Sequence, residues 1–301
     1  MQLPPQFELA ARVPRDGCSP AEAQAYTRWL ATQHYENFNV VSWLLPRDLH
    51  QHFYNVYAYC RWADDLGDEV ADPSQALALL DAWEAALRCC YDRTPLHPVF
   101  IALRPTIEQF QIPITPFADL LKAFRQDQTL KRYADWDAVL GYCRYSANPV
   151  GHLVLYLCGH RDAERQRLSD HTCTALQLAN FWQDVRVDLE KDRIYIPLED
   201  LARFRYSEEQ LLRQEVTPEF RQLMRFEVAR ARGLFESGLP LAGIVDRRLA
   251  ADIELFSRGG LEILRLIEEQ DYDVLSRRPA LTGRRKLRLL AGALFRKVVS
   301  R

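Results

Sequence analysis

The run ALALLDAWEAALRCCY, residues 76–91, decides how this chain folds. Its Leu77, Leu80, Trp83 and Leu87 recur at steps of three and four, which lines them along one side of an α-helix and not along one face of a strand. Working outward, the same period governs segments near 21–34, 47–68, 75–92, 98–110, 116–127, 135–158, 163–189, 207–235, 240–270 and 284–298. Prolines such as Pro73, Pro98, Pro116 and Pro240 fall between these segments or at their starts, where a missing N–H costs least. Asp72-Pro73-Ser74 is a turn with a ready N-cap. No long Gly/Ser-rich linker, repeat or low-complexity tract interrupts the pattern. The expectation is one all-α domain over 1–301, a single helical bundle, with 1–20 as an extended N-terminal arm.

The 301 residues are 48% hydrophobic and 27% charged, enough for a sizeable core, and their formal net charge is -2. That balance creates no global field for nucleic acid, so no nucleic-acid partner is expected. No window approaches the roughly 18–20 uncharged apolar residues that a membrane span needs. The opening MQLPPQFELAARVPRDG lacks the basic start and apolar run of a secretory signal, which points to the cytoplasm. Seven scattered cysteines without a CxxC pair read as buried free thiols. Seven histidines without HxxxH or HExxH spacing give a zinc site little support.

Two aspartate clusters carry the chemistry. In YCRWADDLGDE, residues 59–69, Asp64 and Asp68 are four apart and share a helix face, about 5–6 Å between their Cβ atoms. Asp65 sits about 100° round from Asp64. In QLANFWQDVRVDLEKD, residues 177–192, Asp184, Asp188 and Asp192 fall at i, i+4 and i+8, with Gln177 and Asn180 extending the stripe as amides. Unpaired carboxylates four apart repel; a divalent cation turns the repulsion into attraction. Magnesium takes one or two carboxylates together with waters and phosphate oxygens. One such stripe is usually a solvated face. Two on apolar-flanked helices, if they face one another across a bundle, leave an acidic cavity that calls for metal and phosphate. Arg61, three residues before Asp64, is either an anion clamp or a salt-bridge partner of Asp64 or Asp65.

Between the clusters, YCRYSANPVG, residues 142–151, is helical in pattern but contains Pro149, which bends the helix there. Ser146, Ala147 and Gly151 either thin the wall of a ligand cavity or permit close helix packing. Asn148 offers a neutral amide. Tyr142 and Tyr145 are either faces toward a ligand or core residues.

At these residues the sequence resembles the squalene/phytoene synthase family. YCR before the first cluster, QLAN before the second and DRIYIP after it carry the resemblance, which extends from about His34 to Leu275. HYENFNVVSWLLP (34–46), YCRYSANPVG and RGGLEIL (258–264) resemble its hydroxysqualene-forming branch. The resemblance implies an isoprenoid-synthase bundle with a central cavity and two or three Mg²⁺ ions acting on a prenyl diphosphate. It gives metal roles to Asp64, Asp68, Asp184 and Asp188, with Asp65 and Asp192 alongside them or paired to basic residues. Arg61, Asn37, Phe38, Tyr145, Arg193 and Tyr195 would bind substrate. Tyr142, Asn148, Asn180 and Gln177 would serve catalysis. Relatives that join two prenyl diphosphates often carry VAGTVG where this chain has SANPVG, a lysine where it has Glu36, and an aromatic near Gly260. Those departures favour one diphosphate substrate, presqualene diphosphate, captured by water to give hydroxysqualene.

No GxGxxG follows a strand pattern, so no NADPH is expected. Residues 284–301 hold a basic amphipathic stretch, either a peripheral membrane contact or a last helix capping the bundle. The rival readings are head-to-head condensation of two prenyl diphosphates and a non-catalytic prenyl-diphosphate-binding protein.

Overall fold

Residues 18–33, 47–283 and 285 are described by a computed structural model. Among them the structure is helical. They form no strand, and the isolated bridge between Arg132 and Ile194 is the exception to helix and loop. The helices are α1 (Pro20–Gln33), α2 (His50–Asp68), α3 (Pro73–Asp92), α4 (Pro98–Phe110), α5 (Thr115–Asp127) and α6 (Trp136–Ser146). They continue with α7 (Asn148–Leu157), α8 (Ala163–Glu190), α9 (Leu198–Arg203), α10 (Glu208–Leu212), α11 (Pro218–Gly238) and α12 (Arg247–Glu269). Short 3-10 turns cover Arg47–Leu49 and Leu239–Gly243.

The chain divides into two compact units, Met1–Thr129 with His152–Arg161, and Leu130–Gly151 with Asp162–Arg301. In the first unit α2 packs against α1, α3, α4 and α5. The stripe read from residues 76–91 is buried at Leu80, Trp83 and Leu87, while Leu77 is half-buried and Ala76 and Cys90 complete the face. Trp83 stacks on Trp62 at 5.4 Å and on Tyr59 at 5.9 Å, so α2 and α3 meet through aromatic rings. In the second unit α8 packs on α6, α11 and α12. Glycines allow that closeness: a Cβ at Gly238 would stand 2.3 Å from Thr172 Oγ1 on α8, and one at Gly260 would stand 3.0 Å from Leu176 on α8 and 2.2 Å from Phe235 on α11.

Two segments differ from the sequence reading. The helix expected over 135–158 is two helices, broken at Ala147 where Asn148-Pro149 begins α7, as the bend at Pro149 anticipates. The helix expected over 207–235 is also two. Gln214 takes left-handed backbone (φ 55), and Thr217, bonded through its side chain to Phe220 N, starts α11 with Pro218 in its first turn. Helical spacing on both sides of the break hid it. Pro105, in contrast, stands inside α4 without ending it.

The cysteines are free, with Cys90 and Cys143 buried and both thiols pushed up to about 12 chiefly by burial. No helix of the described residues is long and apolar enough to cross a membrane. Residues 34–46, which include Glu36, Asn37 and Phe38, lie outside the described residues, as do residues 1–17 and nearly all of the basic stretch 284–301.

Candidate active site

The first acidic stripe occupies the last turns of α2. Asp65 is 1% exposed and receives the Arg61 guanidinium at 2.5 Å. Asp64 keeps 46% of its side chain exposed and lies 3.6 Å from Arg61. Asp68, the last residue of the helix, is exposed. The helix thus sorts its carboxylates. Asp65 is neutralised from one turn back, at i,i+4 spacing, while Asp64 and Asp68, four residues apart, are the more exposed carboxylates of the helix end. Arg61 is a salt-bridge partner of Asp65 in this state. Close by, Trp62 donates its indole N–H to Tyr26 Oη at 2.9 Å.

The second stripe lies on α8, N-capped by Asp162 on Arg165 N at 3.0 Å. Asn180 donates to Asp184 Oδ2 at 2.9 Å. Arg278 also holds Asp184: its Nε contacts Oδ1, and its Nη2 donates to Oδ2 at 3.0 Å. Asp188, one turn on, is half-buried. Burial raises its carboxyl to about 7, the neighbouring Asp184 charge adds to the rise, and Arg193, Lys191 and Arg278 oppose it. A carboxyl that resists ionising beside a second carboxylate is a pair that a cation relieves.

The three-aspartate periodicity stops short of Asp192. The helix ends at Glu190, and Asp192 has left-handed backbone (φ 56) with 74% of its side chain exposed. It pairs with Arg132 at 2.6 Å, and Arg132 also holds Glu208 at 2.8 Å. The helical part of the stripe therefore carries Asp184 and Asp188, and Asp192 is paired to a basic residue, one of the two readings the sequence offered.

The chain then turns back onto α8. Arg193 N donates to Asp188 O at 2.9 Å and Ile194 N to Lys131 O at 3.0 Å. This brings Tyr195 flat onto Phe181, centroids 3.7 Å apart and planes within 4°. Tyr142 stands 5.7 Å from Tyr195 and 6.1 Å from Phe181, and Tyr133 completes the group at 5.6 Å from Tyr142. Phe181 precedes Asp184 by three residues and Asp188 by seven, so ring and carboxylates share a helix face. Phe181, Asp188, Arg193 and Tyr195 line one crevice. Tyr142 and Tyr195 are buried in the aromatic group, Tyr145 is half-buried, and Gln177 is half-buried one turn before Phe181.

Asn148 is 9% exposed, and its Oδ1 accepts from Thr174 Oγ1 at 2.9 Å, which ties the start of α7 to α8. A Cβ on Gly151 would meet Ser169 Oγ at 2.2 Å and Cys173 Sγ at 2.6 Å, so Gly151 serves close packing and does not thin a cavity wall. Among the described residues no group of three His, Cys, Asp or Glu side chains gathers to hold a metal alone. The paired oxygens of each stripe nevertheless fit magnesium, which completes its shell with water and phosphate.

Sequence reasoning passed over Arg278, Tyr133 and Arg132. Arg278 lies 94 residues from Asp184 in an irregular segment. No periodicity could have marked it. Phe181 carries a readable signal in its spacing of three to Asp184.

Residues 31–285 match the squalene/phytoene synthase family. The chain is 31% identical over 299 residues to a phytoene synthase of Arthrospira platensis, covering 94% of this chain and 96% of that one. It is 35% identical over 246 residues to a hydroxysqualene synthase of Rhodopseudomonas palustris, covering 80% and 82%. Among solved structures, squalene synthase HpnC from Alicyclobacillus acidocaldarius superposes with a TM-score of 0.81 at 44% identity, covering 84% of this chain and 95% of that one. The chain belongs to the squalene/phytoene synthase family, isoprenoid synthases that process prenyl diphosphates with the help of a divalent metal.

Proposed function

We propose that this enzyme is a hydroxysqualene synthase: it ionises presqualene diphosphate, rearranges the resulting cation and lets water capture it. The observation that carries the reading is the second stripe, where Asp184 and the half-buried Asp188 adjoin the Phe181–Tyr195–Tyr142 rings. An anion-leaving end and an apolar aromatic end on one helix face suit a substrate with a charged head and a long hydrocarbon body. The identity to a hydroxysqualene synthase supports this branch of the family, while the similarly extensive likeness to phytoene synthases keeps head-to-head condensation as the second reading.

Asp184 and Asp188 on α8 would hold magnesium, which when bound supplies charge neutralisation for a departing diphosphate; Asp64 and Asp68 on α2 are the metal-binding pair proposed within their own unit. Arg193, beside Asp188, and Arg61, on the first stripe, are the guanidinium groups suited to the diphosphate oxygens. The faces of Tyr142, Tyr195 and Phe181 exclude water and stabilise a carbocation by about 2 kcal/mol in a desolvated setting. Asn148 has its oxygen committed to Thr174, which leaves Asn180 and Gln177 as the amides suited to hold the capturing water. Asn180 is oriented for this by its bond to Asp184.

The test is to incubate the protein with Mg²⁺ and, separately, presqualene, farnesyl and geranylgeranyl diphosphates, and to identify products by mass spectrometry. Hydroxysqualene from presqualene diphosphate, unchanged by NADPH, is the expected result. Phytoene from geranylgeranyl diphosphate, or squalene that depends on NADPH, would move the assignment to the condensing branch.

A further inference from the structure

The segment Ser276–Pro279 is fastened to the second stripe by three grips from one turn of α8. Gln183 Nε2 donates to Pro279 O, Arg186 Nη1 donates to Ser276 O at 3.3 Å, and Asp184 takes Arg278. Gln270, just past α12, holds the segment from the other side, donating to Arg277 O at 3.1 Å. The grips differ in kind. Those on the carbonyls of Ser276 and Pro279 are neutral acceptors that nothing in the proposed chemistry would claim. Asp184 is claimed twice, because the carboxylate that would ligate magnesium has Oδ1 facing Arg278 Nε and Oδ2 accepting from both Arg278 Nη2 and Asn180.

A carboxylate has about four lone-pair positions. Three are engaged here, two of them by one guanidinium in the fork geometry that makes such pairs strong. Asp184 is 16% exposed while Arg278 is 49% exposed. The anion is therefore fixed and enclosed, and the cation is the partner able to swing into solvent.

We propose that Arg278 is a positioning residue that holds Asp184 in the cation-free protein and surrenders it when a divalent cation binds. Cation uptake and docking of Ser276–Pro279 are then opposed. This rests on the reading of Asp184 as a metal ligand. Opposition is reciprocal: whatever free energy the cation spends in releasing the segment, the segment withholds from cation affinity. Retaining Arg278 in this role also lessens the like-charge repulsion between Asp184 and Asp188 when no metal is bound.

The test measures Mn²⁺ binding to the full chain by titration calorimetry, without any diphosphate, for wild type, Arg278→Gln and Arg278→Lys. Losing the guanidinium tightens Mn²⁺ on the order of tenfold, within the usual range of such couplings, and lysine, a point charge without the fork, gives an intermediate value. In the wild type, Mg²⁺ speeds hydrogen exchange in 276–283, and Asp184→Asn removes that response. Unchanged or weaker Mn²⁺ binding by Arg278→Gln, or exchange indifferent to Mg²⁺, overturns the proposal. If none of the three proteins takes up Mn²⁺ yet Mg²⁺-dependent diphosphate release from a prenyl diphosphate persists, the role of Arg278 falls and the proposed function stands. If release is absent as well, both fall.

Discussion

The two acidic stripes share a spacing and differ in electrostatics. On α2 the counter-charge is local: Arg61 lies one turn from the buried Asp65 and neutralises it within the helix. On α8 no such partner exists in the preceding turn, and the charge is offset from outside, by Arg278 on Asp184 and by Arg193 near Asp188. The α2 stripe is thus complete once its helix forms. The α8 stripe is complete only after distant chain segments arrive, and even then Asp188 is held up to about 7. Equal motifs are not equal sites. What a carboxylate does depends on which neighbour reaches it and how much water it keeps.

The largest expected break in this comparison is catalytic. Asp184→Ala or Asp188→Ala should lower Mg²⁺-dependent diphosphate release by about a thousandfold or more, as loss of a metal ligand does. Asp192→Asn, which removes only the partner of Arg132, should cost less than about tenfold. Comparable losses at Asp188 and Asp192 in a pyrophosphate-release assay would restore the three-aspartate stripe.

Next comes stability, where the stripes should respond with opposite signs. Asp65→Asn strands the Arg61 guanidinium and should destabilise by about 2–3 kcal/mol, somewhat below a fully buried pair because Arg61 keeps Asp64 and some solvent. Asp188→Asn removes a carboxyl that burial and Asp184 disfavour, and should stabilise the metal-free protein at pH 8 by about 1–2 kcal/mol. Urea denaturation of both variants without metal checks the pair. Two losses would sink the contrast.

The pH dependence should split the same way between the two units. In the first, His97 caps α4 through Val99 N and sits edge-on between Trp62 and Trp83. Burial pushes its imidazole from 6.5 down to about 4. The unfolded chain therefore takes up the proton first, and this contribution to stability is lost as pH falls from 6.5 toward about 4. In the second, Glu227 is fully buried beside Asp200, and Arg230 bonds Asp200 at 2.6 Å. Burial, followed by the Asp200 charge, raises Glu227 from 4.5 to about 8. Its contribution is full below 4.5 and is lost as pH rises through about 8. Each group changes stability by at most about 1.4 kcal/mol per pH unit within its window. Denaturation from pH 4 to 9 should show Glu227→Gln removing a loss of stability that runs from 4.5 to about 8, and His97→Asn, which keeps a capping side chain, removing the loss below 6.5, with nothing changed by His97→Asn above about 7.

Smallest is a pair of glycine replacements. Gly151→Ala drives a methyl into Ser169 and Cys173 and should cost about 1–3 kcal/mol. Gly141→Ala, inside α6 with nothing within 4 Å of the new carbon, should gain about 0.5–1 kcal/mol. Thermal melting separates them. Equal effects would mean that α7 and α8 are not in close contact at Gly151.

Much of this was legible before any tertiary structure. Leu80, Trp83 and Leu87 announce α3 because a helix returns every third and fourth residue to one side, and that geometry is local. The break at Asn148-Pro149 and the cap at Asp72 are local for the same reason. The pairs Asp64/Asp68 and Asp184/Asp188 were visible as spacings. For Asp192, the spacing left two readings open, alongside the metal-binding pair or paired to a basic residue; only the left-handed turn after the helix end shows it on Arg132. The split at Gln214 was missed because periodicity continues on paper past the point where a backbone turns left-handed.

The sequence by itself therefore determined the helices, the acidic pairs and the family, all of which rest on interactions within a few turns of chain. Tertiary structure alone decided that Asp65 is buried and Asp64 is not, that Tyr195 lies on Phe181, that Gly151 is filled by Ser169 and Cys173, and that Arg278 reaches Asp184. Burial and long-range ion pairing depend on which segments meet in space, and no short-range pattern of residues encodes that.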